Sequence, residues 1–270
     1  MTRPILSFDL DGTLVDRHGR IHPNDIALLE SAQPPAVLVP ATGRSLGALR
    51  RTFNHNGLFM GRQIACPLVL QNGSLLLSAD ETPLAYFPFE PDLQERLIDR
   101  AFQKPDITFL FLSANQVHLL WPNPFGVQAA DQYEFSVTPF TARSRGAAFS
   151  KIMCLSNCAA ALAEIAAWAG GLPVEGAYSM PTIFEITPQG TDKGSGLRRL
   201  LAALGLNGRT IVAAGDGEND LPLLRRAAVA CAPTTAPEAI RRRARHVIDV
   251  SREGLLAPML AFANQLSKPP

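Results

Sequence analysis

Lysine, cysteine and tryptophan are scarce in this chain, net charge is close to zero, and long apolar runs are missing. Only four of the 270 residues are lysine (104, 151, 193 and 268), and the formal net charge is +1. The densest basic stretch is Arg241-Arg242-Arg243, in an Ala- and Arg-rich helical segment that reads as a solvated helix face. That leaves no electrostatic case for nucleic acid as a partner. No apolar run reaches the roughly 18 residues a membrane span needs, so no membrane partner is expected. Met1-Thr2-Arg3-Pro4 leads into a short apolar strand rather than a signal peptide. The four cysteines (Cys66, Cys154, Cys158 and Cys231) form no disulfide framework. Cys154 and Cys158 stand four apart without a second ligand pair and read as packed thiols. A cytoplasmic protein is the default expectation, and the sequence assigns no oligomeric state.

What is present is apolar. Hydrophobic residues make up 47% and charged residues 18% of the chain, enough to bury a large core. The length is comfortable for two domains. Ile5 to Leu10 reads as a strand, followed by a turn at Asp11-Gly12-Thr13. A helix is predicted from an N-cap at Asn24, a strand over Ala36 to Ala41, and a helix with Leu46, Leu49 and Phe53 on one face. Pro67 to Gln71 is a third strand, ending at Asn72-Gly73. Strands alternating with helices imply βαβ units and a parallel sheet.

The middle of the chain reads differently. Strands are predicted over 84–89, 107–112, 116–121, 151–156 and 182–187, with helices over 93–102 and 158–169. Paired strands flanked by helices suggest an α+β insert with an antiparallel sheet. The alternation then resumes: Leu197, Leu200, Leu201 and Leu204 stripe a helix that Gly205 ends, and Thr210 to Ala214 is a small-residue strand. The fold class expected is therefore α/β. A Rossmann-like parallel-sheet core is split in sequence over about 1–82 and 188–270, with an inserted α+β domain over 83–187.

Four segments fall at the C-terminal ends of predicted core strands, the edge where open α/β sheets bind ligands. In Phe8-Asp9-Leu10-Asp11-Gly12-Thr13-Leu14-Val15, two acids reach one site where the chain leaves the strand. Carboxylates this close repel and call for a positive partner, such as the oxygen-seeking cation Mg²⁺. In Ala41-Thr42-Gly43-Arg44, a hydroxyl and backbone N–H groups can hold phosphoryl oxygens. Asp192-Lys193-Gly194-Ser195-Gly196 opens the leucine-striped helix, and a lysine there opposes the helix dipole, which suggests a bound anion. It is not a Walker loop, since Gly-x-x-x-x-Gly-Lys is absent. In Gly215-Asp216-Gly217-Glu218-Asn219-Asp220, Asp216 and Asp220 can face the same way and complete, with Asp9 and the Asp11 carbonyl, an oxygen-only metal site.

In order, spacing and insert position these four segments resemble motifs I to IV of the haloacid dehalogenase superfamily of phosphatases, in its Cof-type subfamily with a C2-type cap. Asn72-Gly73 resembles the family's Asn-Gly turn, and Lys151-Ile152-Met153 a family cap strand. Two departures stand out. Cys231-Ala232-Pro233-Thr234-Thr235-Ala236 replaces a Met-Gly-Asn-Ala-like loop, with Thr234 where an Asn often stands, and Glu253-Gly254 replaces Asp-Gly.

The resemblance implies a phosphomonoester hydrolase acting on a small phosphorylated metabolite, most of all a sugar phosphate, through an aspartyl-phosphate. Asp9 would be the nucleophile, Asp11 the general acid and base, and Lys193 the charge-neutralising group. Asp9, Asp11, Asp216 and Asp220 would hold Mg²⁺, while Thr42, Gly43, Arg44, Asn72 and Asn219 would face phosphate or substrate. A phosphomutase of a related capped family is the nearest rival, distinguished by a need for a sugar bisphosphate. A non-catalytic ligand-binding protein of this fold is the other, disfavoured because all five acid and lysine residues are present.

Overall fold

The computed structural model describes residues 3–266. The chain begins with β1 (Ile5–Phe8), whose four side chains are all buried. Helix α1 (Pro23–Leu29) follows. It starts before the Asn24 cap expected from sequence: Pro23 fits the first turn, and the His22 ring accepts from the Asn24 N–H. Then come β2 (Val37–Pro40) and α2 (Leu46–His55), the latter capped by Ser45. Next are β3 (Leu68–Leu70), β4 (Leu75–Leu77) and β5 (Pro83–Tyr86).

The middle of the chain contributes α3 (Pro91–Phe102), β6 (Thr108–Ser113) and β7 (Val117–Leu120). It continues with α4 (Pro124–Gln132), β8 (Val137–Pro139) and β9 (Phe149–Leu155). The insert closes with α5 (Ala159–Ala169), β10 (Val174–Met180) and β11 (Ile183–Pro188). The last third holds α6 (Lys193–Ala203), β12 (Ile211–Ala214), α7 (Leu221–Leu224) and β13 (Val229–Pro233). It ends in α8 (Glu238–Arg241), β14 (His246–Ile248), α9 (Val250–Glu253) and α10 (Leu256–Leu266).

Five strands form a parallel sheet in the order β14-β13-β12-β1-β2. Its central strands are buried on both faces, which is why ILSF and IVAA read as unbroken runs of apolar and small residues rather than alternating ones. One face packs Leu6, Phe8, Leu49, Phe53 and Met259, the other Ile5, Val39, Leu197, Leu200 and Leu223. A six-stranded sheet, β10-β11-β9-β6-β7-β8, is antiparallel except for the β7–β8 pair and carries its own two apolar layers.

β3 departs from the alternation expected of it. No α-helix follows; a single 3-10 turn through Asn72 (φ 56°) and Gly73 (φ 96°) leads into the antiparallel β3-β4-β5 sheet. An isolated parallel bridge between Ala41 and Val69, with the Thr42 amide donating to the Val69 carbonyl (2.8 Å), joins it to the parallel sheet. Among the described residues, no helix is long and apolar enough to cross a membrane.

Candidate active site

The parallel register sets Phe8 beside both Pro40 and Ala214. Residues 9–11, 41–44 and 215–220 therefore leave the sheet at one edge, the C-terminal one. The Asp9 amide still donates to the Ala214 carbonyl (3.0 Å), so the first acid is fixed to the strand that delivers the last group. Gly12 turns the chain at φ +78°, and a Cβ there would lie 2.3 Å from an Asp216 carboxylate oxygen. Only glycine fits both demands.

Lys193 begins α6 against the helix dipole, and what receives it is protein. Its Nζ donates to Asp9 Oδ1 and to Asp220 Oδ1, each at 2.6 Å, and all three side chains are buried. Asp192 caps the helix by accepting from the Ser195 amide (2.7 Å), which fixes where the lysine departs. The other oxygen of Asp220 accepts from the amides of Asp216 and Gly217, both at 2.9 Å. Thr13 Oγ1 donates to Asp216 Oδ1 (2.9 Å). One oxygen each from Asp9, Asp216 and Asp220 lie within 4.8 Å of one another.

The electrostatics follow. Burial, then the nearby Asp220, hold the Asp9 carboxyl well above the usual carboxylate range, against the pull of Lys193. Burial and Asp220 push Asp216 up to about 6, with the Thr13 hydroxyl opposing. Burial alone would lower the Lys193 ammonium, but Asp220 and Asp9 outweigh it and raise it.

The remaining residues singled out in the sequence are placed as follows. Asp11 turns its carboxylate onto Arg44, which forks to both oxygens (2.6 and 2.9 Å). Arg44 also donates to Thr52 Oγ1 (2.6 Å) and to the Tyr133 carbonyl of the insert (3.0 Å). Gly43 and Asn219 line the cleft. Thr42 is fully buried, and its hydroxyl accepts from the Arg44 amide (3.1 Å). Asn72 is buried beneath the loop and donates to Glu185 (2.6 Å). Thr234 is exposed after β13 and is not among the residues that line the cleft. The string Gly43-Arg44-Ser45-Leu46-Gly47 fits the Gly-x-Ser-x-Gly pattern of serine hydrolases, but Ser45 caps α2 by accepting from the Ala48 amide.

The insert lines the other wall with Tyr133, Phe135, Lys151, Met153, Met180 and Glu185. Sequence reading passed over Lys151 and Glu185 as site residues. Their signal was there: a single charge in the apolar strands FSKIMCL and IFEITP, both otherwise buried. The cleft encloses about 100 Å³, far below the roughly 300–1,000 Å³ of drug-sized pockets. Five acids (Asp9, Asp11, Glu185, Asp216 and Asp220) meet three cations (Arg44, Lys151 and Lys193) in and directly beneath it, so with every carboxyl ionised two negative charges are unmatched.

Comparison with known proteins gives the family and the fold. Residues 6–260 match the family of haloacid dehalogenase-like hydrolases. A phosphoglycolate phosphatase from Aeropyrum pernix is 28% identical over 253 residues, 90% of this chain and 86% of its own length. One from Methanopyrus kandleri is 39% identical over 66 residues, 24% of this chain and 28% of the relative's length. Among solved structures, a haloacid dehalogenase-like hydrolase from B. subtilis superposes with a TM-score of 0.82 at 18% identity, covering 96% of this chain and 99% of that one. A subclass IIB sugar phosphatase of the same superfamily gives 0.78 at 21% identity, covering 97% and 99%. The chain belongs to the haloacid dehalogenase-like hydrolases.

Proposed function

We propose that this haloacid dehalogenase-like hydrolase is a Mg²⁺-dependent phosphatase of a small phosphate monoester, with Asp9 as nucleophile. The observation that carries this reading is the buried Lys193 ammonium held at 2.6 Å by both Asp9 and Asp220. It aims an Asp9 oxygen at the sheet edge where ligands bind and, against burial and Asp220, pulls that carboxyl toward its ionised form. Residues 1–82 and 188–270 act as the core, and 83–187 as the cap that closes the cleft.

The donor set fits a divalent cation. Asp9, Asp216 and Asp220 offer only oxygen, the chemistry that Mg²⁺ prefers, and the two unmatched negative charges equal its charge. The Asp11 carbonyl would complete the protein's share. When bound, the cation supplies Lewis acidity toward the phosphoryl oxygens.

The chain's own groups do the rest. An Asp9 oxygen attacks phosphorus in line, forming an acyl phosphate as the ester P–O bond breaks. Asp11, taking up a proton from solvent as it turns from Arg44, gives that proton to the departing alkoxide, then takes one from the water that attacks the aspartyl-phosphate, releasing inorganic phosphate and restoring Asp9. For either transfer Asp11 must turn from Arg44 toward the reacting oxygen. Lys193 offsets charge on the nucleophile and on the phosphoryl group, where electrostatics and positioning carry most of the catalysis.

The cleft argues for a neutral leaving group. Arg44 and Lys151, the cations nearest the cap wall, are each matched by an acid, Asp11 and Glu185. Tyr133, Phe135 and Met153 add no charge. A sugar or polyol phosphate of a few carbons suits this wall better than the anionic leaving group of phosphoglycolate. Phosphate release over a metabolite panel, with and without Mg²⁺, tests the proposal. Metal-dependent release from small sugar phosphates is expected, and no release from any compound would sink it.

A further inference from the structure

Beyond the carboxylate cluster, the chain buries a second ion pair, Lys151 and Glu185, at 0% and 4% side-chain exposure. Both stand on neighbouring strands of the inserted sheet, β9 and β11. Burying an ion pair rarely adds stability over apolar side chains of the same size, so its presence calls for another reason. Its remaining bonds supply one. Lys151 Nζ donates to Glu185 Oε1 and to the Gly43 carbonyl, both at 2.9 Å. Glu185 Oε2 accepts from Asn72 Nδ2 at 2.6 Å.

Gly43 and Asn72 belong to the two core loops beside the nucleophile, and those loops are tied together. The Asn72 amide donates to the Thr42 carbonyl (3.0 Å) and the Gln71 amide to the Arg44 carbonyl (3.1 Å). Contact is close: a Cβ on Gly43 would sit 2.5 Å from Lys151 Nζ and 3.1 Å from Asn72 Oδ1. Asn72 Oδ1 is buried without a partner, so the amide is oriented by Glu185 at the cost of its acceptor.

We propose that Lys151 and Glu185 form a charge-neutral clamp through which the inserted sheet fixes the 41–44 loop for phosphoryl transfer, both acting as positioning residues. The proposal rests on the phosphatase reading above. Neutrality explains why a pair is used. A lone ammonium there would compete with Lys193 for the carboxylates, and a lone acid would add to their surplus. The pair grips both loops with no net charge. Because it sets backbone orientation at the site of charge development, its loss falls on kcat more than on KM.

The test compares the full-length protein with Lys151→Met/Glu185→Met, an apolar replacement of similar volume, and with Glu185→Gln. Phosphate-release kinetics and amide hydrogen exchange are the readouts. The double variant is expected to unfold within a few degrees of the parent and to lose about 10- to 100-fold in kcat with KM changed under about 3-fold. Exchange should quicken at 41–46 and 71–74 and stay unchanged elsewhere. Glu185→Gln, which keeps an acceptor for Asn72, should show a smaller loss of the same kind, and it is the decisive variant if the double one does not fold. Unchanged kcat with unchanged loop exchange overturns the clamp, as does faster exchange spread evenly over the chain. If the parent releases phosphate from no compound, the phosphatase reading fails, while the exchange comparison still decides whether the clamp exists.

Discussion

An ammonium at the first position of a helix is opposed by the helix dipole, and Lys193 stays there because Asp9 and Asp220 receive it. The three groups are interdependent, and single changes at them should separate stability from turnover. Lys193→Met leaves two buried carboxylates facing each other. A loss of about 3–5 kcal/mol in urea unfolding is expected, as for other broken buried pairs. Asp9→Asn is the opposite case. The amide cannot attack phosphorus, so turnover should fall by more than roughly a thousandfold in phosphate release. Yet burial and Asp220 already disfavour the charge at this position, so a neutral side chain relieves repulsion. The metal-free variant should melt at or above the parent's temperature by circular dichroism. A large drop in melting temperature would contradict this account of the cluster.

At the scale of elements, the site depends on how closely α6 approaches the turn after β3. Gly73 has φ +96°, and a Cβ there would lie 2.3 Å from the Asp192 carbonyl; a Cβ on Gly196 would lie 2.6 Å from the Gly73 Cα. Gly73→Ala should push α6 outward, displacing Lys193, and cost about 1–3 kcal/mol from overpacking on top of the left-handed strain. Gly19→Ala is the control. Its φ is +76° with nothing within 4 Å, so it should cost only the strain, about 1 kcal/mol, and leave activity intact. This packing also marks what the sequence could convey. Runs such as ILSF and IVAA announce a strand buried on both sides, and the paired acids at their ends announce the edge where they meet. Asn72-Gly73 announces a turn, but whether a helix or a hairpin partner follows is decided by tertiary pairing with β4, which no local pattern encodes. Helix α4 went unread because PFGVQAADQ is weakly patterned and short. Strand β10 went unread because VEGAYSM buries little and lies at the sheet edge. Lys151 and Glu185 needed the fold to become legible: each is one charge in an apolar strand until β9 and β11 lie side by side.

For the whole molecule, the surplus of acid in the cleft ties stability to pH and to metal. Asp216 titrates at about 6 in the folded chain against an ordinary 3.8. A carboxyl whose pKa is raised by folding holds its proton more tightly when folded. Its favourable share of stability is therefore complete below about 4 and is lost as pH rises to about 6. Asp216→Asn removes that loss, so without metal the variant should gain on the parent in melting temperature as pH goes from 4 to 7. A bound cation reverses the order. Protons and metal compete for the same oxygens, so Mg²⁺ should stabilise the parent more at pH 7 than at pH 5. At a hundredfold excess over its dissociation constant, ligand linkage gives about 2.7 kcal/mol. For a chain of this length that is a rise of roughly 5–10 °C at pH 7. Asp216→Asn should show a much smaller rise, because a neutral amide oxygen replaces one of the three carboxylates that would hold the ion. Equal Mg²⁺ shifts at pH 5 and pH 7, or equal shifts in parent and variant, would mean that the cation binds somewhere other than among Asp9, Asp216 and Asp220.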